Sequence, residues 1–404
     1  MMPAPLAGLT VLEIGQYMAA PFAAMQLADL GARVIKIEHP GVPEAMRMAG
    51  PFLEGEDGER HSSPFVRLNR NKESIRLDLK SEAGRRALLR LAETADVLVE
   101  NLRPGALRAI GLGPDEVRAV NPGLVYASVS GFGQDGPLAG LPGLDIMAQA
   151  RGGLMSITGQ PDGDPVKVGV PICDLVSGLY TAMAVLAALR HRDADPQRGG
   201  QFVDVSLLEA GVSLAVWEAG RYFATGELPR PLGSAHQAQA PYQALRCSDG
   251  WATIGAVTDK SWAATCGVLG LPETIRDDPR YAGASGRHQH REELIPVLEA
   301  VTEKWTQDEL VAALRAESVP CAPINDYAQV FTDDHLSQRE FFWDAPHPVL
   351  GEVRQLGSPM RLSGTPTRRD GAGPLPGAHT REVLRAAGYP DTEIDAMIRA
   401  GEAG

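Results

Sequence analysis

The sequence predicts an α/β protein: a parallel, doubly wound sheet followed by a smaller α+β unit. Three observations carry this. Over the first 210 residues, short apolar, often β-branched runs alternate with helix-length stretches. A Pro- and Gly-rich segment, residues 225–243, then interrupts the pattern. The 404 residues are 44% apolar and 22% charged, as in an ordinary globular protein with room for two domains.

Taken in order, "TVLEIG" (10–15) is a short apolar run suited to a strand buried on both faces. "APFAAMQLADLG" is an Ala/Leu-rich helix that Gly31 stops. "RVIKIE" (33–38) is the next strand. The unit repeats as "SIRLDL", the helix "SEAGRRALLRLAETA" with Ser81 as N-cap, and the strand "DVLVEN". It repeats again as the helix "GPDEVRAVN" and the strand "LVYASVS". Units of this length put helices on both faces of a parallel sheet. From 174 to 226 two long apolar helices flank "QFVDVS". The smaller unit holds the strand "GWATIGAV" and helices around 260–270, 290–304 and 306–317. "HPVLGEV" reads as a strand and "HTREVLRAAG" as an amphipathic helix.

The net charge of −13 argues against a nucleic-acid partner, which would need a basic face. The opening "MMPAPLAGLTVLEIG" has neither a basic n-region nor a long apolar h-region. The longest apolar run, "LYTAMAVLAAL" (179–189), is shorter than a bilayer requires, so a membrane partner is not expected. Cys173, Cys247, Cys266 and Cys321 are isolated, as reduced core residues of a cytoplasmic protein would be. His288 and His290 lack partners at ligand spacing, so no metal site is expected.

"GFGQDG" (131–136) follows a strand and spells G-x-G-x-x-G. A dinucleotide fingerprint also needs a helix opening at its third glycine. "PLAGLPG" follows instead, and its prolines forbid one. The nicotinamide reading therefore fails. What remains is a glycine-rich loop at the carboxyl end of a parallel strand, leading to Asp145.

Asp174, in "VGVPICDLVSGL", stands at the start of a long apolar helix. As an N-cap it needs no further role. The same position also suits a nucleophile, because a helix N-terminus favours the ionised carboxylate at neutral pH. Cys173 is a competing nucleophile, though no His lies nearby in sequence. The basic segment "RLNRNKESIR", with Arg67, Arg70, Lys72 and Arg76, is either a solvated loop or a phosphate clamp, together with Asn101, Arg103 and Arg108.

The ordered set "VLEIGQYMAAPFAAMQLADLGARVIKIEHPG", "LNRNKESIRLDLK", "ADVLVENLRPG", "SVSGFGQDGP", "GLDIMAQARGGLMSITG", "VGVPICDLVSGL", "VPCAPIND" and "GAHTREVLRAAGY" resembles the class III CoA-transferases across essentially the whole chain. The resemblance implies a Rossmann-like large domain, a smaller inserted α+β domain and two protomers interlocked like chain links. The expected bounds are residues 1–224 and 331–404 for the large domain and 225–330 for the small one. It implies an aspartyl nucleophile at Asp174, forming first a mixed anhydride and then an aspartyl-CoA thioester, with Asp145 helping to orient the site. The matching CoA-binding positions are Met18, Ala19, His39, Asn69, Arg70, Asn71, Lys72, Asn101, Leu102 and Arg103, with Arg108 close to a family basic position. A substrate loop corresponds to Gly233, Ser234, Ala235 and His236. CoA thioester is expected as substrate, with no permanently bound cofactor.

Formyl-CoA:oxalate enzymes resemble one another in a Gln where Met18 stands and in a glycine run where residues 233–236 read Gly-Ser-Ala-His. The chain looks more like enzymes that use succinyl-CoA as donor and a dicarboxylate or hydroxy-dicarboxylate as acceptor. A 2-methylacyl-CoA racemase of the same fold is an alternative, but such enzymes place a His where Leu144 stands. A non-catalytic CoA-binding homologue is another alternative, against which the retained Asp145 and Asp174 argue.

Overall fold

The computed structural model describes residues 4–404. The chain divides into two compact units. One takes in the chain up to Leu154, then Lys167–Ala224 and Ser337–Gly404; the other takes in Met155–Val166 and Thr225–Leu336. The short excursion 155–166 has no apolar period to announce it. It is tied to the rest of its own unit by Gly233 N, which donates to Gly159 O at 2.8 Å.

The first unit is built on strands β1 (Thr10–Ile14), β2 (Arg33–Glu38), β3 (Phe52–Glu54), β4 (Arg60–Ser62), β5 (Lys72–Arg76), β6 (Val97–Glu100), β7 (Val125–Ser130) and β8 (Phe202–Ser206). Six of them form a sheet ordered β5-β2-β1-β6-β7-β8, every pair parallel. β3 and β4 pair as a separate hairpin. The chain moves outward from β1 through β2 to β5, then returns to β6 on the other side of β1. Order therefore reverses between β1 and β6, where such sheets open a ligand crevice at the carboxyl ends of the strands. Leu12, Ile35, Ile75, Leu98 and Tyr126 are buried because helices cover the sheet.

The helices of this unit that matter here are α1 (Ala19–Asp29), α2 (Ser63–Leu68), α3 (Glu82–Ala92), α4 (Pro114–Val120), α5 (Asp145–Arg151), α6 (Leu154–Ile157, running into the second unit), α7 (Ile172–Ala194), α8 (Leu207–Ser213) and α9 (Val216–Thr225). α7 packs along α1. The close approach needs Gly178, where an added Cβ would stand 2.9 Å from Ala19 O. At 23 residues α7 is long and apolar enough, by length and composition, to cross a membrane. Residues 179–189 are thus only the middle of a helix longer than the apolar run alone indicates. In this fold α7 packs against α1, α5, α8 and β7.

"HPVLGEV" is not one strand. It is the turn of a hairpin between Phe342–His347 and Gly351–Leu356. Gly351, at φ 65°, makes the reversal that the apolar pattern concealed. In the second unit β9 (Tyr242–Arg246), β10 (Trp251–Gly255) and β11 (Cys321–Pro323) form an antiparallel sheet ordered β11-β10-β9. Leu245, Ile254, Trp262, Leu294, Leu298, Leu310 and Leu314 form its core.

Candidate active site

The loops after β1 and β6 meet at the switch point. Asn101 Oδ1 accepts Gln16 N at 2.8 Å, and Asn101 Nδ2 donates to Gln16 O at 2.8 Å. This reciprocal pair ties the segment carrying Asn101, Leu102 and Arg103 to the one carrying Met18 and Ala19. Met18 precedes α1 and Ala19 opens it. Because Gly178 lies against Ala19 O, the same packing brings the first turns of α7 beside the crevice.

Asp174 differs from its sequence reading in two respects. It is the third residue of α7, inside the first turn, and Pro171 holds the N-cap position. The capping role falls to Asp145, the first residue of α5. Asp145 Oδ1 accepts Cys173 N at 2.8 Å and Asp174 N at 3.3 Å. Nor does the helix terminus keep Asp174 ionised throughout the neutral range. Burial first, and the adjacent Asp145 charge second, push its carboxyl up to about 7, and no hydrogen bond offsets them. The Cys173 thiol is fully buried, and burial together with the two aspartates pushes it up to about 12. Its thiolate is thus both scarce and inaccessible, which removes it as a rival nucleophile.

Gln149 completes this centre and was missed in the sequence. It is fully buried; its Nε2 donates to Asp145 Oδ2 at 2.6 Å and its Oε1 accepts Val168 N at 2.9 Å. The available signal was its spacing, i+4 from Asp145 on one helix.

The basic segment behaves differently from a phosphate clamp. Arg70 binds Asp29 through Nε at 3.0 Å and Nη2 at 2.5 Å. Asn71, at φ 61°, donates to Asp29 Oδ1 at 2.9 Å. Asn69 Oδ1 accepts Lys72 Nζ at 2.8 Å, and Lys72 also donates to Pro21 O at 2.8 Å. All four residues are buried. The direct contact with phosphate expected of Arg70 and Lys72 is therefore not what this arrangement offers, since their charges are already satisfied within the fold. His39 follows β2, with Nδ1 accepting Gly41 N at 3.0 Å and Val42 N at 3.1 Å.

Arg103 and Arg108 remain exposed and line a cavity of about 380 Å³ with Tyr126, Gln134 and Phe202. Arg108 pairs with Asp115 at 3.1 Å. At its base Glu100 Oε2 accepts Leu102 N at 2.7 Å, and Ser128 Oγ donates to Glu100 Oε1. Burial pushes this carboxyl up to about 7.

The "GFGQDG" loop leads into no helix. Gly131 lies against Gly143, where an added Cβ would stand 2.6 Å from the Gly143 Cα, so the loop doubles back before Asp145. Gly133 N donates to Ser130 Oγ at 3.0 Å and Gln134 N to Asp204 Oδ2 at 2.9 Å. Gly233, Ser234 and His236 belong to the second unit. There Ser234 Oγ accepts Ala244 N at 3.0 Å, and the His236 ring stacks on Tyr242 at 4.9 Å.

A doubly wound parallel sheet with paired aspartates at a helix start beside its switch point defines an α/β protein with a candidate active site at the carboxyl ends of its strands. Comparison makes this specific. The model of CoA-transferase family III matches residues 6–380. A succinate–glutarate CoA-transferase from Agrobacterium fabrum is 36% identical over 382 residues, 94% of this chain and 95% of that protein. A succinyl-CoA–D-citramalate CoA-transferase from Chloroflexus aurantiacus is 36% identical over 383 residues, 95% of this chain and 94% of that one. The crystal structure of a CAIB/BAIF family protein from Brucella suis superposes with a TM-score of 0.87 at 37% identity, covering 96% of this chain and 100% of that one. The chain belongs to CoA-transferase family III and is a CoA-transferase.

Proposed function

We propose that the enzyme moves CoA from succinyl-CoA to a dicarboxylate or hydroxy-dicarboxylate through covalent catalysis by Asp174. The observation that carries this is the Asp174 carboxyl at the start of α7, desolvated, free of hydrogen bonds that would blunt it, and held by Asp145. The relatives named for succinyl-CoA or succinate with glutarate and D-citramalate support the substrate class.

In this reading a carboxylate oxygen of ionised Asp174 attacks the thioester carbonyl. The C–S bond breaks, CoA leaves as thiolate, and an Asp174–succinyl anhydride remains. The thiolate attacks the Asp174 Cγ, releasing succinate and leaving an aspartyl-CoA thioester. The acceptor carboxylate displaces CoA to form a second anhydride. The thiolate then attacks the acceptor's carbonyl and regenerates Asp174. No net proton or electron is exchanged, so the chemistry calls on no resident cofactor. Dividing one exchange among four such steps is the gain from a covalent nucleophile. Asp145 orients α7 and sets the charge on its neighbour. Met18, Ala19, His39, Asn101, Leu102, Arg103 and Arg108 bind the CoA moiety, residues 69–72 brace the start of α1 through the Lys72 bond to Pro21 O, and Gly233, Ser234 and His236 are the proposed substrate loop.

A homodimer belongs to this reading. Val216 and Phe223 on α9 are 79% and 83% exposed, an apolar face that a second copy would cover. The proposed setting is the cytoplasm, with neither membrane nor nucleic acid as partner. The racemase alternative lacks its second base, since Leu144, 60% exposed, carries no titratable group. Incubation with succinyl-CoA and a panel of dicarboxylates should yield new acyl-CoAs, and Asp174→Ala should yield none. Exchange of α-hydrogen for deuterium without transfer would favour the racemase. Transfer by Asp174→Ala would refute the nucleophile assignment.

A further inference from the structure

We propose that Glu44 is a positioning residue, which through a buried ionic network holds the loop of residues 15–18 in the shape that takes acyl-CoA. This rests on the reading above that the loop binds the CoA moiety.

Glu44 Oε1 accepts Tyr17 N at 3.1 Å across 27 residues of chain. Tyr17 sits at φ 59°, in the left-handed region that a bulky residue adopts only when held there. Its side chain is 55% exposed, so side-chain packing does not hold it. Glu44 Oε2 lies 2.8 Å from Lys36 Nζ. Lys36 donates to Gly15 O and to Glu13 Oε1, each at 2.8 Å. Glu13 Oε2 lies 2.7 Å from Lys72 Nζ, which donates to Pro21 O. Three backbone groups flanking Met18 and Ala19, namely Gly15 O, Tyr17 N and Pro21 O, thus each end on a buried charged side chain.

Stability alone does not account for this arrangement. Burying ion pairs costs desolvation, and apolar residues of like volume often serve a core as well or better. What apolar residues could not do is bond the loop backbone. Glu44 is the member whose loss leaves the Glu13–Lys36 and Glu13–Lys72 pairs in place, at the cost of one carboxylate partner of buried Lys36.

The test compares Glu44→Ala and Glu44→Gln with the unmodified enzyme. Binding of free coenzyme A is measured by calorimetry, with KM for acyl-CoA and acceptor, melting temperature, and amide hydrogen exchange over residues 15–19. The alanine variant should weaken coenzyme A binding and raise KM for acyl-CoA about tenfold, as expected for one hydrogen bond to a charged group. Acceptor KM and kcat should stay near their original values, whereas the melting temperature should fall, because buried Lys36 loses one of its carboxylate partners. Glu44→Gln, which keeps an oxygen for Tyr17 N, should recover most of the loss. Unchanged affinity in Glu44→Ala overturns the proposal, as does a rise of the acceptor KM as large as that of the acyl-CoA KM. Coenzyme A should protect the 15–19 amides of the unmodified enzyme. If it does not, the reading of the loop itself has failed; protection alongside unchanged affinity in Glu44→Ala overturns the positioning role alone.

Discussion

Asp145 caps the helix that carries Asp174: its Oδ1 accepts the Asp174 backbone N–H at 3.3 Å and that of Cys173 at 2.8 Å. One acid thus holds the other by its backbone while its charge acts on the other's carboxyl. Burial and this charge together push Asp174 up to about 7.

A carboxylate must be ionised to attack a thioester. The rate constant kcat/KM for transfer should therefore be flat above about pH 7 and fall about tenfold per unit below it. A pH-rate profile on succinyl-CoA reads this directly. A profile flat down to pH 5 would mean that Asp174 is not titrating where its surroundings place it.

Removing the Asp145 charge should lower the Asp174 pKa. Asp145→Asn keeps an oxygen for the Cys173 and Asp174 amides, so the helix remains capped. The acidic limb of the pH-rate profile should shift to lower pH, with the descent beginning below 7. A limb that stays in place would assign the shift to burial alone.

The same raised pKa has a cost in stability. An Asp normally titrates near 3.9, so between about pH 4 and pH 7 the folded state binds more protons at this site than the unfolded chain does. Stability from this group therefore falls as pH rises through that window, and the penalty is fully present above about 7. Asp174→Asn should be inactive yet more stable than the original at pH 8, by about 1–3 kcal/mol, with no advantage at pH 4. Urea unfolding at the two pH values measures the difference.

Gln149 bridges Asp145 and Val168 from full burial. Gln149→Leu leaves a carboxylate oxygen and a backbone N–H without partners, which should cost about 2–3 kcal/mol in urea unfolding and most of the activity. A variant of unchanged stability would show that water satisfies both groups.

Much of the sheet was legible because its strands are short, largely β-branched apolar runs whose few charged residues, among them Glu13, Lys36 and Glu38, do not break the pattern: "TVLEIG" and "RVIKIE" read directly as β1 and β2. The start of α7 was not. Asp is a favoured N-cap residue and Asp174 looked like one, but the cap comes from Asp145, 28 residues earlier than Cys173, and local preference cannot see such a partner. The basic segment misled for the same reason. Arg70 and Lys72 look like free cations until the fold brings Asp29, 41 residues from Arg70, and Glu13 against them. The excursion 155–166 has no hydrophobic period to read, and around Gly351 the apolar run "HPVLGEV" continues across the reversal and hides it.

The central claim is that Asp174 forms a covalent bond to CoA. The enzyme incubated with succinyl-CoA, quenched in acid and digested, should yield the Asp174-containing peptide heavier by CoA less one water, and Asp174→Asn should yield no such peptide and no transfer. The adduct on another residue, or full transfer activity in Asp174→Asn, would contradict it.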